Sequence, residues 1–352
     1  MKVYTNGQKV LNACDVDAVY VSCEFLMKYI TGFEAENGCV IVDSSGTTLY
    51  TDKRYIEAAE KLFDGTDVTP VLFTQTDVLN RLASYPSVGI SFKQTSHVEY
   101  LALEKAGVKA KDVDKPLAEC MGVKNEWEKE QIQAACSIAE RALIKLLPEI
   151  KEGMTETEVA ALLEYNMRSL GAEGTSFSTI VAFGAHAAVP HHVTGNTKLK
   201  FGDEILIDFG CKVNGYCSDI TRTMLFGDDG KHEEFKKAYQ AVLTAHELVK
   251  ERLQSGMTGK EADGIAREYL IKEGYGELFT HSLGHGIGLN IHEFPGVNMR
   301  SETVLTDGMV FSDEPGVYQA GEYGIRIEDT VTLENGKVKS FMTETDRNLI
   351  VL

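Results

Sequence analysis

Between residue 17 and about residue 110, short apolar runs alternate with amphipathic stretches. The runs AVYVS, CVIVD, TLYT, TPVLF and VGIS predict strands, and the stretches opening at Arg54, Asp77 and Ser96 predict helices. That alternation is the signature of an α/β domain. Over residues 109–125, KAKDVDKPLAECMGVKN, the periodicity lapses while a proline and several charges collect. A boundary is expected there, giving an N-terminal α/β domain over 1–120 and a second domain over 121–352.

The second domain repeats itself. Laying residues 128–174 over 231–277, an offset of 103, superposes Glu130, Ala135, Ala142, Gly153, Met154, Thr155, Glu158 and Gly171 on Glu233, Ala238, Ala245, Gly256, Met257, Thr258, Glu261 and Gly274. In each copy a long helix is expected to end at a glycine, after which Met-Thr starts a second helix with Thr as its N-cap. Each helical pair is followed by a β-rich segment, 177–227 and 279–352. The fold class that follows is α+β, with an α/β domain leading into two pseudo-symmetric halves that face each other.

Composition narrows the function. The 352 residues exceed one compact core, and 43% hydrophobic residues suffice for two. A net charge of -18 repels phosphate backbones and anionic bilayers, so neither nucleic acid nor membrane is an expected partner. The seven cysteines, Cys14, Cys23, Cys39, Cys120, Cys136, Cys211 and Cys217, form no CxxC pair and read as reduced thiols. The N-terminal stretch MKVYTNGQKVLNACDVD lacks the apolar run of a secretory signal, and no span of about 18 apolar residues occurs anywhere. A soluble, cytoplasmic protein is expected.

The chemistry-bearing residues fall in the two β-rich segments. EILIDFGCKVNGYCSDITRTMLF reads as a hairpin about Asn214-Gly215, a type I′ turn signal. That turn pairs Val213 with Tyr216, sets Asp208 opposite Thr221 and Gly210 opposite Asp219, and leaves Asp208 and Asp219 as diagonal neighbours on one face. Either aspartate alone is explained by a turn cap or by an arginine such as Arg222; both on one face need a cation. In the second half Glu314 lies in MVFSDEPGVY and Glu328 in YGIRIEDTVTL, with Asp313 and Asp329 pointing away and Arg326 available to Glu328 as a salt-bridge partner.

Histidines gather nearby: His281, His285 and His292 in HSLGHGIGLNIHEF, and His191 and His192 in AAVPHHVTG. Their glycines argue for close-packed backbone rather than helix. His186 and His192 by themselves read as bland. Four carboxylates carry the charge of two divalent cations, and an oxygen-rich set with one imidazole suits Mn, Co or Fe better than structural zinc. No HExxH is present for a single-zinc site.

At ILIDFG, SDITRT, GHGIGLNIHE, EPGVY, GIRIED and VPHH the sequence resembles the pita-bread metallopeptidases, the family of aminopeptidase P, prolidase and methionine aminopeptidase. YITGF and LYTDKRY resemble the N-terminal domain of aminopeptidase P and prolidase, which methionine aminopeptidases generally lack. Creatinase shares the two-domain plan without the metal ligands. The resemblance implies a pita-bread catalytic domain with Asp208, Asp219, His285, Glu314 and Glu328 as metal ligands, Asp219 and Glu328 bridging. Two divalent ions per chain are implied, Mn first, with Co, Fe or Zn as alternatives. It further implies His191, His292 and Glu314 as catalytic residues, His281, Arg326 and Tyr318 as substrate-binding residues, and a homodimer.

Asp313 departs from the family, which more often has an apolar or small polar residue there. The expected reaction is hydrolysis of an N-terminal Xaa-Pro bond by a dinuclear-metal-bound hydroxide, as in aminopeptidase P. Xaa-Pro dipeptidase (prolidase) is the alternative, and a non-catalytic peptide-binding protein is the alternative of another class.

Overall fold

The computed structural model describes residues 5–228 and 230–352; the first four residues of the N-terminal stretch read above lie outside them. The chain divides into two compact units, one running to Met121 and one starting at Gly122. The first is built on a six-stranded mixed sheet in the order Val68–Leu72, Gly46–Thr51, Gly38–Asp43, Ala18–Val21, Val88–Ile90, Ala110–Asp112. Strand Gly38–Asp43 is antiparallel to both neighbours and the other pairings are parallel. Alternate residues Cys39 and Ile41 meet Ala18, Tyr20, Val88 and Ile90 in an apolar cluster closed by Val78, Leu82 and Leu103 from the helices.

Helices Ile56–Phe63, Gln75–Ala83 and His97–Lys105 follow the expected starts, the last two capped by the side chains of Thr74 and Ser96. Helices Gly7–Cys14 and Glu24–Thr31 were not expected; eight residues give barely two turns of periodicity. The lapse at 109–125 contains the helix Asp114–Gly122, whose early Pro116 needs no intrahelical N–H partner.

In the second unit the repeat is visible atom by atom. Helices Glu126–Leu146 and Glu156–Ser169 pair in one half, and Glu233–Arg252 and Gly259–Lys272 in the other. Thr155 with Glu158 and Thr258 with Glu261 form reciprocal capping boxes. The Gly153 N–H donates to Leu199 O and the Gly256 N–H to Leu305 O, both at 2.8 Å. The long helices nevertheless stop short of these glycines. Gly153 (φ 86°) and Gly256 (φ 99°) instead form the left-handed turn that feeds the second helix.

Each half contributes a sheet. Strands Ile180–Phe183, Glu204–Phe209 and Ile220–Leu225 run antiparallel, with Ile350–Val351 parallel at one edge. The other sheet runs Glu293–Val297, Gly284–Gly286, Val310–Asp313, Asp329–Glu334, Lys337–Ser340. A backbone bridge between Thr221 and Glu328 joins them. Beside it lies Arg222, 1% exposed, which donates to Thr221 O (3.0 Å), Glu328 O (2.6 Å), Asp329 Oδ1 (3.0 Å) and Thr345 Oγ1 (2.9 Å).

This guanidinium clamps the two halves together at the bridge that Glu328 makes just before the strand Asp329–Glu334. Arg222→Met fills a similar space but takes from Glu328 O the donor at 2.6 Å and from the buried Asp329 one of its cationic partners, and is expected to cost about 3–5 kcal/mol of stability. Denaturant unfolding checks it: a loss below about 1 kcal/mol would show the clamp to be dispensable.

Candidate metal centre

The hairpin forms in the expected register. Val213 faces Tyr216, Thr221 faces Asp208, and Asn214 (φ 48°) and Gly215 (φ 80°) make the turn. Past Phe209 the ribbon crosses so closely that a Cβ on Gly210 would sit 1.9 Å from Ser218 O, so only glycine fits where Asp208 and Asp219 converge. In the other half Asp313 pairs with Asp329 across the strands, so Glu314 and Glu328 leave the sheet at the same end.

Nine of the ten expected side chains line one cavity of about 510 Å³: His191, Asp208, Asp219, His281, His285, His292, Glu314, Arg326 and Glu328. Tyr318 does not line it. Its hydroxyl lies behind Arg326, accepting from Nη1 at 2.7 Å and bonding His281 Nε2 at 2.8 Å, so it supports other residues instead of facing the cavity. A larger groove, about 970 Å³ along helices Glu233–Arg252 and Gly259–Lys272, shares no lining residue with this one and carries none of the candidate chemistry.

Single donor atoms of Asp219, His285 and Glu328 fall within 4.8 Å of one another. His285 Nε2 lies 3.5 Å from Asp219 Oδ2 and 3.4 Å from Glu314 Oε1. Thr221 Oγ1 donates to Glu328 Oε2 (2.6 Å) and Ser312 Oγ to Glu314 Oε1 (2.9 Å), orienting each carboxylate from behind. Asp208 Oδ1 and Asp219 Oδ1 are buried with no hydrogen-bond partner.

Burial, then the neighbouring Glu328, Asp208 and Glu314, holds the Asp219 carboxyl well above its usual range; burial, then Glu314 and Asp208, does the same to Glu328. Burial carries Glu314 up to about 7 against the pull of Arg326. Carboxylates so crowded, with orphaned oxygens, fit a divalent cation and little else. The sequence count of four negative charges omitted Arg326, whose Nη2 donates to Asp208 Oδ2 at 2.6 Å, not to Glu328. With it, one divalent ion leaves one negative charge and two leave one positive, so charge alone does not fix the number.

The histidines separate by surroundings. Burial lowers His285 and His292, the latter also through its neighbour His285, whose ring centroid is 4.2 Å away, and burial followed by Arg326 takes His281 down to about 3. These rings are neutral at ordinary pH. His191 follows the 3-10 turn Gly184–Ala188, seated against a strand where a Cβ on Gly324 would come within 1.7 Å of Ala187 O.

Asp313 is explained by His246, buried on the long helix Glu233–Arg252, with Nδ1 3.0 Å from Asp313 and Nε2 3.5 Å from Asp329. Burial alone would lower this ring, yet Asp313 and Asp329 raise it to about 9. His246 thus lies behind the strand ends, Asp313 and Asp329, that lead into Glu314 and Glu328. Sequence reading missed His246, Ser312 and the cavity residues Phe177, Ile180, Ile291 and Asn298. Ser312, two positions before Glu314, was the one visible from strand alternation.

Residues 130–335 match metallopeptidase family M24, and residues 5–120 match the creatinase/prolidase N-terminal domain. An Xaa-Pro dipeptidase of Pyrococcus furiosus is 38% identical over 97% of both chains. Among solved structures, the X-Pro aminopeptidase of Thermotoga maritima superposes with a TM-score of 0.90 at 35% identity, covering 98% of this chain and 100% of that one. The prolidase of Pyrococcus horikoshii gives 0.90 at 36%, over 98% and 99%. With its ligand-type residues gathered in one cavity of a two-fold repeated domain, this chain belongs to metallopeptidase family M24.

Proposed function

We propose that this protein is an Xaa-Pro dipeptidase, hydrolysing the bond between a first residue and a C-terminal proline. The observation that carries hydrolysis is the cavity in which Asp208, Asp219, His285, Glu314 and Glu328 converge beside neutral histidines. The curated Xaa-Pro dipeptidases of Pyrococcus furiosus and Pyrococcus horikoshii, each 38% identical, support the dipeptidase over the aminopeptidase P expected from the sequence. The reading takes 1–120 as the N-terminal domain, 121–352 as the catalytic domain, and two divalent ions, Mn first, held by those five residues. It includes a homodimer in the cytoplasm, where six buried free cysteines and a seventh half-buried one suit a reducing medium.

Bound ions supply Lewis acidity to a substrate carbonyl and to a water. Glu314, oriented by Ser312, takes a proton from the attacking water and returns it to the leaving nitrogen. His292, neutral, donates an N–H to the oxygen on which charge develops, and His191 does so from the facing segment. Arg326, fixed by Asp208, Thr221 Oγ1 (3.0 Å) and Tyr318, holds the His281 side of the cavity. Phe177, Ile180 and Ile291 offer apolar surface to a proline ring, which brings no N–H needing a partner.

One observation favours aminopeptidase P. Among the described residues lining the cavity, Arg326 is the one Arg or Lys, and its guanidinium is already bonded to Asp208 and Tyr318. A proline carboxylate needs a cation, whereas a continuing chain does not. Steady-state kinetics separate the two: kcat/KM for Ala-Pro is expected to exceed that for Ala-Pro-Ala by roughly tenfold or more. Preference for the tripeptide establishes aminopeptidase P, and equal cleavage of Ala-Ala removes both.

A further inference from the structure

Outside the cavity, Glu156, His186 and His192 bring one carboxylate and two imidazoles together, with single donor atoms all within 4.8 Å. Glu156 opens the helix Glu156–Ser169 and is fully buried. Each of its oxygens is used twice. Oε1 accepts the Phe183 N–H at 3.1 Å and faces His186 Nδ1 at 2.8 Å; Oε2 accepts the Gly195 N–H at 2.9 Å and faces His192 Nε2 at 3.0 Å. The two rings lie 4.5 Å apart at 36°, turning both nitrogens toward the same carboxylate.

We propose that Glu156, His186 and His192 form a separate site for a divalent transition ion of the zinc class, outside the catalytic centre. A tetrahedral ion with bonds of ~2.1 Å holds adjacent donors ~3.4 Å apart, so the 2.8 and 3.0 Å contacts need to open by only about half an ångström to admit it. Binding strands no backbone group, because each carboxylate oxygen keeps one lone pair for its backbone N–H and turns the other to the ion. Each imidazole can carry a proton on the ring's other nitrogen and turn the lone pair of the nitrogen facing Glu156 to the ion. The His186 side chain is 44% exposed, which gives an ion entry and leaves positions for water, while His192 (13%) and Glu156 (0%) are fixed.

Two nitrogens to one carboxylate favour Zn, Ni or Cu, whereas four carboxylates to one nitrogen favour Mn, so the two sites select different ions. Phe183 and Gly195 bracket the segment that brings His191 to the cavity. An ion here would tie His186 and His192, both within that segment, to the glutamate that already holds its two ends.

Metal counting by mass spectrometry, after equilibration with buffered micromolar Zn²⁺ and gel filtration, tests the site. Asp219→Asn, lacking a bridging carboxylate of the centre, is expected to retain about one Zn per chain, and Asp219→Asn/His186→Ala to lose it. Full-length protein preloaded with Mn is expected to take up one Zn more than its His186→Ala counterpart. That comparison stands if Asp219→Asn fails to fold, since it leaves the cavity carboxylates unchanged and alters only the half-exposed His186. Equal zinc content with and without His186 in either background overturns the proposal.

Discussion

Asp219→Asn is expected to lower the Mn content of the cavity site below one ion per chain and turnover on the order of 10³-fold or more, beyond the 10–100-fold typical of residues that only support a ligand. Asp219 Oδ1 is buried without a partner, and its other oxygen faces His285 at 3.5 Å, which leaves both oxygens open to the bridging role proposed for it. A neutral amide with one acceptor cannot hold two cations.

The same change has the opposite effect on the metal-free fold. Asp219 and Glu328 have folded pKa values raised well above the usual carboxylate range, and Glu314 is raised to about 7. Between the unfolded and folded values the native state binds more protons, so the stability contributed by these three carboxyls is fully present near pH 4 and is lost as pH rises toward 7, while the lowered His281, His285 and His292 contribute with the opposite sign. Metal-free Asp219→Asn, with one carboxylate fewer, is expected to show a shallower fall and a higher Tm at pH 7 than metal-free wild type. Melting with and without chelator over pH 4–8 reads both signs. Retention of two metals with near-normal turnover would remove Asp219 from the centre.

His292→Ala is expected to lower kcat by ~10²- to 10⁴-fold with metal content unchanged, whereas His285→Ala depletes metal. The rings are neighbours, yet only His285 Nε2 approaches the carboxylates, at 3.4 and 3.5 Å from Glu314 and Asp219. His292 lines the cavity and is held neutral by burial and by His285, which suits it to donate to charge that develops on the substrate. Metal analysis beside kcat on both variants decides: if both lose metal, or neither does, the division between ligand and donor is wrong.

Much of this centre was legible because it rests on local periodicity. A two-residue turn fixes the hairpin register, so Asp208 had to face Thr221, and alternation had to send Asp313 and Asp329 away from Glu314 and Glu328. The repeat was legible for a related reason: glycine turns and Thr-x-x-Glu caps are set by neighbours within four residues.

Partners across the two halves were not. Arg326 bonds Asp208, 118 residues away, although Glu328 lies two positions along; Arg222 goes to Asp329, 107 residues on; and Asp313 is answered by His246 from a helix 67 positions earlier. His186 and His192, bland as a string, are drawn together by a glutamate 30 and 36 residues before them. Strand and helix periods determine which face a side chain occupies. Which buried charge meets which is decided only when the two halves pack, because an unpaired ion in a low-dielectric interior takes the partner that packing brings within reach.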